Sequence, residues 1–249
     1  MNNDFPIQIF ADGPKLEEIT SLDTNLVKGF TFNPTLFRNL GVSNYLDYCK
    51  KLVEICGEFP ISLEVIADDE DSMIKQGLIL GELGNNVFVK IPVTYTSGVS
   101  TLSVIKTLVE EKIKLNITAI FTIDQVKTIL PTLKYTESII SIFSGRLFDV
   151  GINAVKITGN IAEFIHQNSN CKILWASPRM VYDIINACNA NCDIITSSSR
   201  CTHCMFTNCN IPISSSSPCT YCTLTNCNII TTSSSSYHRI CPNHNIVAA

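Results

Sequence analysis

The chain has 249 residues, 45% of them hydrophobic and 16% charged, enough for one substantial core and the size of a barrel that runs as a single domain. Its net charge is only -4 and its basic residues are not clustered, which argues against a nucleic-acid or polyanion binder and points to a small-molecule partner. No stretch approaches the roughly 20 apolar residues that span a bilayer, and Met1 to Phe10 lacks a basic segment followed by an apolar run, so a cytoplasmic protein without membrane contact is expected.

From the start to about Thr196, short β-rich runs alternate with longer amphipathic stretches, the pattern of βαβ units around a parallel sheet. The predicted strands are Ile7 to Ala11, Gly29 to Phe32, Ile61 to Ile66, Val87 to Val93, Leu115 to Phe121, Ile139 to Phe143, Lys172 to Ala176 and Cys192 to Thr196. Between them lie helices with recognisable starts: Ser43 ahead of Tyr45 to Cys56, a Thr122-x-x-Gln125 capping box, and Pro178 placed to open a helix over Arg179 to Ala190. Eight such alternations predict an α/β protein of the closed (β/α)₈ TIM-barrel class over residues 1–196. An open doubly wound sheet is the alternative, but no G-x-G-x-x-G turn follows the strand where one belongs. Cys49, Cys56, Cys171, Cys188 and Cys192 show no regular spacing and read as small core hydrophobes in a reducing compartment.

In such a barrel the reacting groups project from the carboxyl ends of several strands. Side chains alternate faces along a strand, so Ser62 with Glu64, Phe88 with Lys90 and Pro92, and Asn116 with Thr118 should face one interior. Val65, Val89, Ile91 and Ile117 then face the helices. One Asp, one Glu, one Lys and Asn or Thr donors converge on this reading.

A lysine among Val87, Phe88, Val89 and Ile91 should be buried, where the ammonium form is costly and a neutral, nucleophilic amine is favoured. That is the group a carbonyl-condensing enzyme uses to form an imine. The competing reading is a lysine that reaches solvent, or one paired with an acid in the core. Asp12 and Glu64 suit general acid and base roles, and either suits a plain ion pair with Lys90 equally well. Arg146, in Ser144-Gly145-Arg146, and Ser177-Pro178-Arg179 look like a phosphate clamp, since guanidinium forks and amides at a helix N-terminus suit an oxyanion. Solvated surface arginines are the plainer alternative.

The segments Phe10-Ala11-Asp12-Gly13, Gly29-Phe30-Thr31-Phe32-Asn33-Pro34-Thr35, Val89-Lys90-Ile91-Pro92-Val93-Thr94, Asn116-Ile117-Thr118-Ala119-Ile120-Phe121, Ser144-Gly145-Arg146 and Trp175-Ala176-Ser177-Pro178-Arg179 together resemble the transaldolase family. The likeness is strongest to its short subgroup, which also contains fructose-6-phosphate aldolases, and covers Ile9 to about Thr196. It implies class I aldolase chemistry with Lys90 as the Schiff-base lysine, Asp12 as acid/base, and Glu64 with Thr118 positioning a proton-shuttling water. It further implies Asn33 and Asn116 on sugar hydroxyls, and Ser141, Arg146, Ser177 and Arg179 around a phosphate. Transaldolases of this family carry Glu and Phe where the aldolases carry Gln and Tyr, and this chain has Glu64 and Phe143. Transfer of a dihydroxyacetone unit between sugar phosphates is therefore expected. Direct cleavage of fructose 6-phosphate, or an inactive barrel acting as a binding protein, are the alternatives. The chain departs from the family's pattern at Phe32, where many relatives carry a second Thr before Asn-Pro.

Sugar phosphates are the expected partners, nucleic acid and membrane are not, and a homo-oligomer is the expected assembly. No cofactor and no metal is expected. The segment 197–249 changes character: it contains no Asp, Glu or Lys, and Cys201-x-x-Cys204 with Thr207-Asn208-Cys209-Asn210-Ile211 recurs as Cys219-x-x-Cys222 with Thr225-Asn226-Cys227-Asn228-Ile229. With His203, His238 and His244 these pairs have zinc-ligand spacing, yet the serine runs between them leave little apolar surface for a folded module. The expectation is an atypical tail where relatives carry closing helices.

Overall fold

The β-branched and aromatic runs become β1 (Gln8–Asp12), β2 (Val27–Thr31), β3 (Ile61–Glu64), β4 (Val87–Pro92), β5 (Leu115–Ile120), β6 (Ile139–Ile142), β7 (Lys172–Trp175) and β8 (Ile194–Ser198). A computed structural model describes residues 7–198, and in it every strand pairs in parallel with its sequence neighbour while β8 closes on β1. Between the strands run α1 (Leu16–Ile19), α2 (Pro34–Asn39), α3 (Tyr45–Cys56), α4 (Glu70–Gly81), α5 (Leu102–Glu110), α6 (Ile123–Leu133), α7 (Ser144–Asp149), α8 (Ala154–Asn168) and α9 (Asp183–Asn189). This is the (β/α)₈ barrel the alternation predicts. The cysteine repeats and the zinc reading fall on residues 199–249, outside the described residues.

Period-two alternation gives the barrel two cores. Leu63, Val89, Ile91, Ile117, Ile173 and Trp175 point outward into a continuous layer beneath the helices. Phe10, Phe88, Ile139, Leu174, Ala176 and Ile194 point inward and pack on each other across the lumen. Gly29 makes room for that plug: a Cβ there would lie 2.6 Å from the Phe10 ring. At the strand starts below the plug a hollow of about 490 Å³ is lined by Asn86, Lys114, Glu137 and Lys172.

Local signals set most helix ends. In α6 the Thr122 hydroxyl accepts the Gln125 amide at 3.3 Å and Gln125 Oε1 accepts the Thr122 amide at 3.1 Å, completing the box. Its Val126, Ile129, Leu130 and Leu133 are buried at helical spacing. The cap of α3 is Asn44 rather than Ser43; its side chain accepts the Asp47 amide at 3.2 Å. Strand β3 stops at Glu64 because the Ile66 and Ala67 amides donate to Gln76 Oε1, at 2.7 and 3.0 Å, instead of to a ladder.

The largest departure is after Pro178. The helix begins at Asp183, four residues later than Arg179, because the buried Asp183 carboxylate collects the Arg179 and Met180 amides at 2.6 and 3.1 Å and bends the chain into a turn. Ser177, just before it, has left-handed backbone with φ of 58°.

Cys49, Cys56, Cys171 and Cys192 are buried and Cys188 half-buried, all as free thiols. Burial raises each thiol above its ordinary range, Cys49 and Cys56 to about 12. Among the described residues no helix is long and apolar enough to cross a membrane.

Candidate active site

Above the plug, at the carboxyl ends of the strands, lies a cavity of about 440 Å³. Its wall includes Asp12, Asn33, Glu64, Lys90, Asn116, Thr118, Ser141, Phe143, Arg146 and Ser177. Ten of the residues singled out in the sequence thus meet in one space.

Strand register explains the buried lysine's surroundings. Lys90 stands level with Glu64 on one side and Asn116 on the other. Its side chain is buried, with Nζ 3.3 Å from Glu64 Oε2 and donating to the Phe32 carbonyl at 3.4 Å. Of the two carboxylates, Glu64 therefore makes the ion pair. The Glu64 carbonyl accepts the Tyr45 hydroxyl from α3, which fixes the strand end that carries it. Phe32 itself lies fully buried in the outer core against Phe37, so the departure from the family's Thr does not reach the cavity wall.

Asp12 accepts the Thr31 hydroxyl at 2.5 Å across the β1–β2 register. Burial pushes its carboxyl above the ordinary aspartate range, and the opposing effects of the Lys90 charge and the Thr31 hydrogen bond do not cancel it. Asn116 is held at both ends: its Nδ2 donates to Ser62 Oγ at 2.9 Å and its Oδ1 accepts Ser141 Oγ at 2.7 Å. Asn33 Oδ1 accepts the Leu36 amide at 3.0 Å, capping α2 and leaving Nδ2 for the cavity. The buried Thr118 hydroxyl finds no partner among the described residues, so a bound water or substrate oxygen would satisfy it. Phe143 packs edge-on to Phe121 at 5.6 Å and closes the wall over the plug.

Arg179 behaves differently from the clamp expected of it. Its Nε donates to Asp149 Oδ1 at 2.8 Å, its Nη2 to Asp149 Oδ2, and its Nη1 to the Ser177 carbonyl at 3.1 Å. It does not line the cavity, and the amides that would have formed a helix N-terminus beside it are bound to Asp183. The hydrogen bonds from the Arg179 side chain hold the Asp149 carboxyl below its ordinary range, and the charges of Arg179 and Arg146 add to the effect. Arg146 is the guanidinium that lines the cavity.

Sequence reasoning assigned no role to Thr31, Pro34, Thr35, Leu36, Leu174, Ala176 and Thr196, which complete the wall. Thr31 was findable, since it shares the interior parity of β2 and pairs with Asp12. Asp149 carried no signal: it is one of 22 acidic residues and gains meaning only from the fold.

Fold and cavity define a (β/α)₈-barrel protein with a buried lysine, two carboxyls and a guanidinium around one carboxyl-end pocket. The family described as Transaldolase/Fructose-6-phosphate aldolase matches residues 9–229. Curated relatives agree: a probable transaldolase from Hydrogenobaculum sp. is 33% identical over 186 residues, 74% of this chain and 82% of that protein. One from Clostridium kluyveri is 34% identical over 175 residues, 70% and 77% of the two chains. The chain belongs to the transaldolase/fructose-6-phosphate aldolase family of enzymes. Solved structures share the fold alone. N-acetylneuraminate lyase from Mycoplasma synoviae superposes with a TM-score of 0.56 at 11% identity, covering 82% of this chain and 74% of that one. KGPDC from Streptococcus mutans gives 0.52 at 12%, covering 79% and 89%.

Proposed function

We propose that this protein transfers a dihydroxyacetone unit between sugar phosphates, converting sedoheptulose 7-phosphate and glyceraldehyde 3-phosphate to erythrose 4-phosphate and fructose 6-phosphate through a Schiff base on Lys90. The observation that carries the reading is the buried Lys90 amine 3.3 Å from Glu64 in a closed-ended cavity with a second, protonation-prone carboxyl at Asp12.

In this reading Glu64 accepts the Lys90 proton through the existing ion pair, freeing the amine to attack the ketose carbonyl. Asp12, biased toward its acid form, donates the proton that lets the carbinolamine oxygen leave as water. As the bond between C3 and C4 breaks, its electrons flow to the iminium nitrogen and Asp12, now ionised, takes the C4 hydroxyl proton. The aldehyde leaves, and the enamine attacks the acceptor by the same steps reversed. Hydrolysis of the final imine uses a water held by Glu64 and the unpartnered Thr118 hydroxyl. Asn33 and Asn116 hold sugar hydroxyls and Phe143 bounds the donor, while Arg146, Ser141 and Ser177 face the phosphate. No cofactor enters any step.

Borohydride reduction in the presence of fructose 6-phosphate should add a stable mass to the peptide containing Lys90, and Lys90→Met should abolish it. An adduct on another lysine would overturn the assignment. Release of free dihydroxyacetone at the full turnover rate without an acceptor would favour direct cleavage, and no adduct at all an inactive barrel.

A further inference from the structure

We propose that Tyr45 is a positioning residue for the proton transfer at Lys90: its hydroxyl, together with Gln76, pins the end of β3 and so holds the Glu64 carboxylate against the amine. The proposal rests on the Schiff-base reading above.

The need for a pin follows from the ladder between β2 and β3. The Phe30 amide donates to the Pro60 carbonyl at 2.8 Å and the Phe32 amide to the Ser62 carbonyl at 2.9 Å. The next rung in this series runs from the amide of position 34 to the Glu64 carbonyl. That position is Pro34, the first residue of α2, which has no N–H to give. The Glu64 carbonyl thus loses its strand partner, and a backbone acceptor inside a fold needs a donor. The Tyr45 hydroxyl from α3 donates there instead.

The residues that follow are tied as well. The Val65 amide donates to the Lys90 carbonyl at 3.2 Å, and Gln76 Oε1 from α4 accepts the Ile66 and Ala67 amides at 2.7 and 3.0 Å. Two helices therefore grip the strand end through one side chain each. Tyr45 is itself well held: its ring packs edge-on to Phe37 at 4.7 Å, and Cys49, one turn along α3, hydrogen-bonds to its side chain. Burial raises the phenol above its ordinary range and keeps the hydroxyl a donor.

Glu64 stands level with Lys90 in register, with Oε2 3.3 Å from Nζ. A carboxylate that has to take the Lys90 proton and hold a water has one productive place, and a displacement of about 1 Å lowers the rate steeply. A tyrosine that merely packs would affect folding alone. The two roles separate in a background that lacks the carboxylate.

The test uses the full chain as wild type, Tyr45→Phe, Gln76→Ala, Glu64→Gln and the double variant Tyr45→Phe/Glu64→Gln. The rate of borohydride-trapped adduct formation with fructose 6-phosphate is measured in single turnover, beside kcat, KM and thermal melting. Tyr45→Phe should slow trapping and kcat about tenfold, with KM moving less than about threefold and the melting temperature falling by a few degrees. In the Glu64→Gln background the same substitution should slow trapping by less than about twofold further, because the group it positions is gone. Equal slowing in both backgrounds would overturn the proposal, and so would a wild-type trapping rate in Tyr45→Phe. If Tyr45→Phe does not fold, Gln76→Ala decides, since it loosens the same strand end from the other side: slower trapping supports the pin and an unchanged rate overturns it. A wild type that forms no adduct at Lys90 discards the Schiff-base reading and this proposal together, whereas an adduct-forming wild type matched by Tyr45→Phe discards this proposal alone.

Discussion

The two walls of the cavity are built by different means. The wall with Lys90, Glu64 and Asn116 is made of strand residues in direct register, so period-two alternation and the hydrogen-bond ladder fix each Cα to its neighbour. The wall with Arg146 and Ser177 is made of loop and short-helix residues, held by a backbone contact at Gly145, the Asp183 carboxylate and the Asp149–Arg179 pair. A strand-borne side chain inherits its place from the barrel. A loop-borne one depends on partners chosen one at a time, so the Arg146 and Ser177 side of the pocket is the more adjustable.

Lys90→Met is the severest test, because it removes the proposed nucleophile and leaves the strand wall otherwise intact. Turnover should fall by on the order of 10⁴ or more, with thermal stability lowered because Glu64 loses its ion-pair partner. Substantial residual turnover would break the assignment of chemistry to the strand wall. Next comes Arg146→Ala, expected to cost about 1.5–3 kcal/mol, or about 10- to 150-fold in kcat/KM, with fructose 6-phosphate but little with unphosphorylated fructose. Equal losses with both sugars would remove Arg146 from the phosphate side.

Gly145→Ala probes the loop wall without removing a polar group. The new methyl meets backbone rather than a flexible side chain, so the segments must part, at about 1–3 kcal/mol of stability and with weaker phosphate binding. The smallest effect on stability belongs to Asp12→Asn. Because burial raises this carboxyl, the folded state binds its proton more tightly than the unfolded chain does, so Asp12 costs stability as pH rises from the ordinary value of 3.8 through the raised one. The Asn variant should melt a few degrees higher than wild type at neutral pH, lose that advantage below about pH 4, and turn over poorly throughout. A variant less stable than wild type at neutral pH would contradict the sign.

The same contrast explains what could be read from the residues. All eight strands were legible because apolar alternation and β-branched runs are local signals, and their ends shifted by one or two residues, at β3 because Gln76 intercepts the Ile66 and Ala67 amides. Lys90, Glu64 and Asn116 followed from strand parity and Asp12 from its place at the carboxyl end of a strand, and Thr31 would have followed from parity as well. Arg179 did not. Its rotamer is decided by Asp149, thirty positions earlier, and the helix expected after Pro178 is delayed by Asp183. Neither carboxylate differs in local pattern from its solvent-facing counterparts: Asp149 meets the arginine only in the folded barrel, and Asp183 meets its amide through a local turn that no motif announces.

The inward cluster of Phe10, Phe88, Ile139, Leu174, Ala176 and Ile194 makes the barrel a blind tube rather than a channel. With a volume of about 440 Å³, the space above it is at the small end for ligand pockets. Donor and acceptor must use one mouth and the same floor, so for the proposed transfer the first aldehyde has to depart before the second can arrive. Initial rates measured against both sugars should then give parallel double-reciprocal lines, the signature of a substituted-enzyme order, with the aromatic plug as its structural cause.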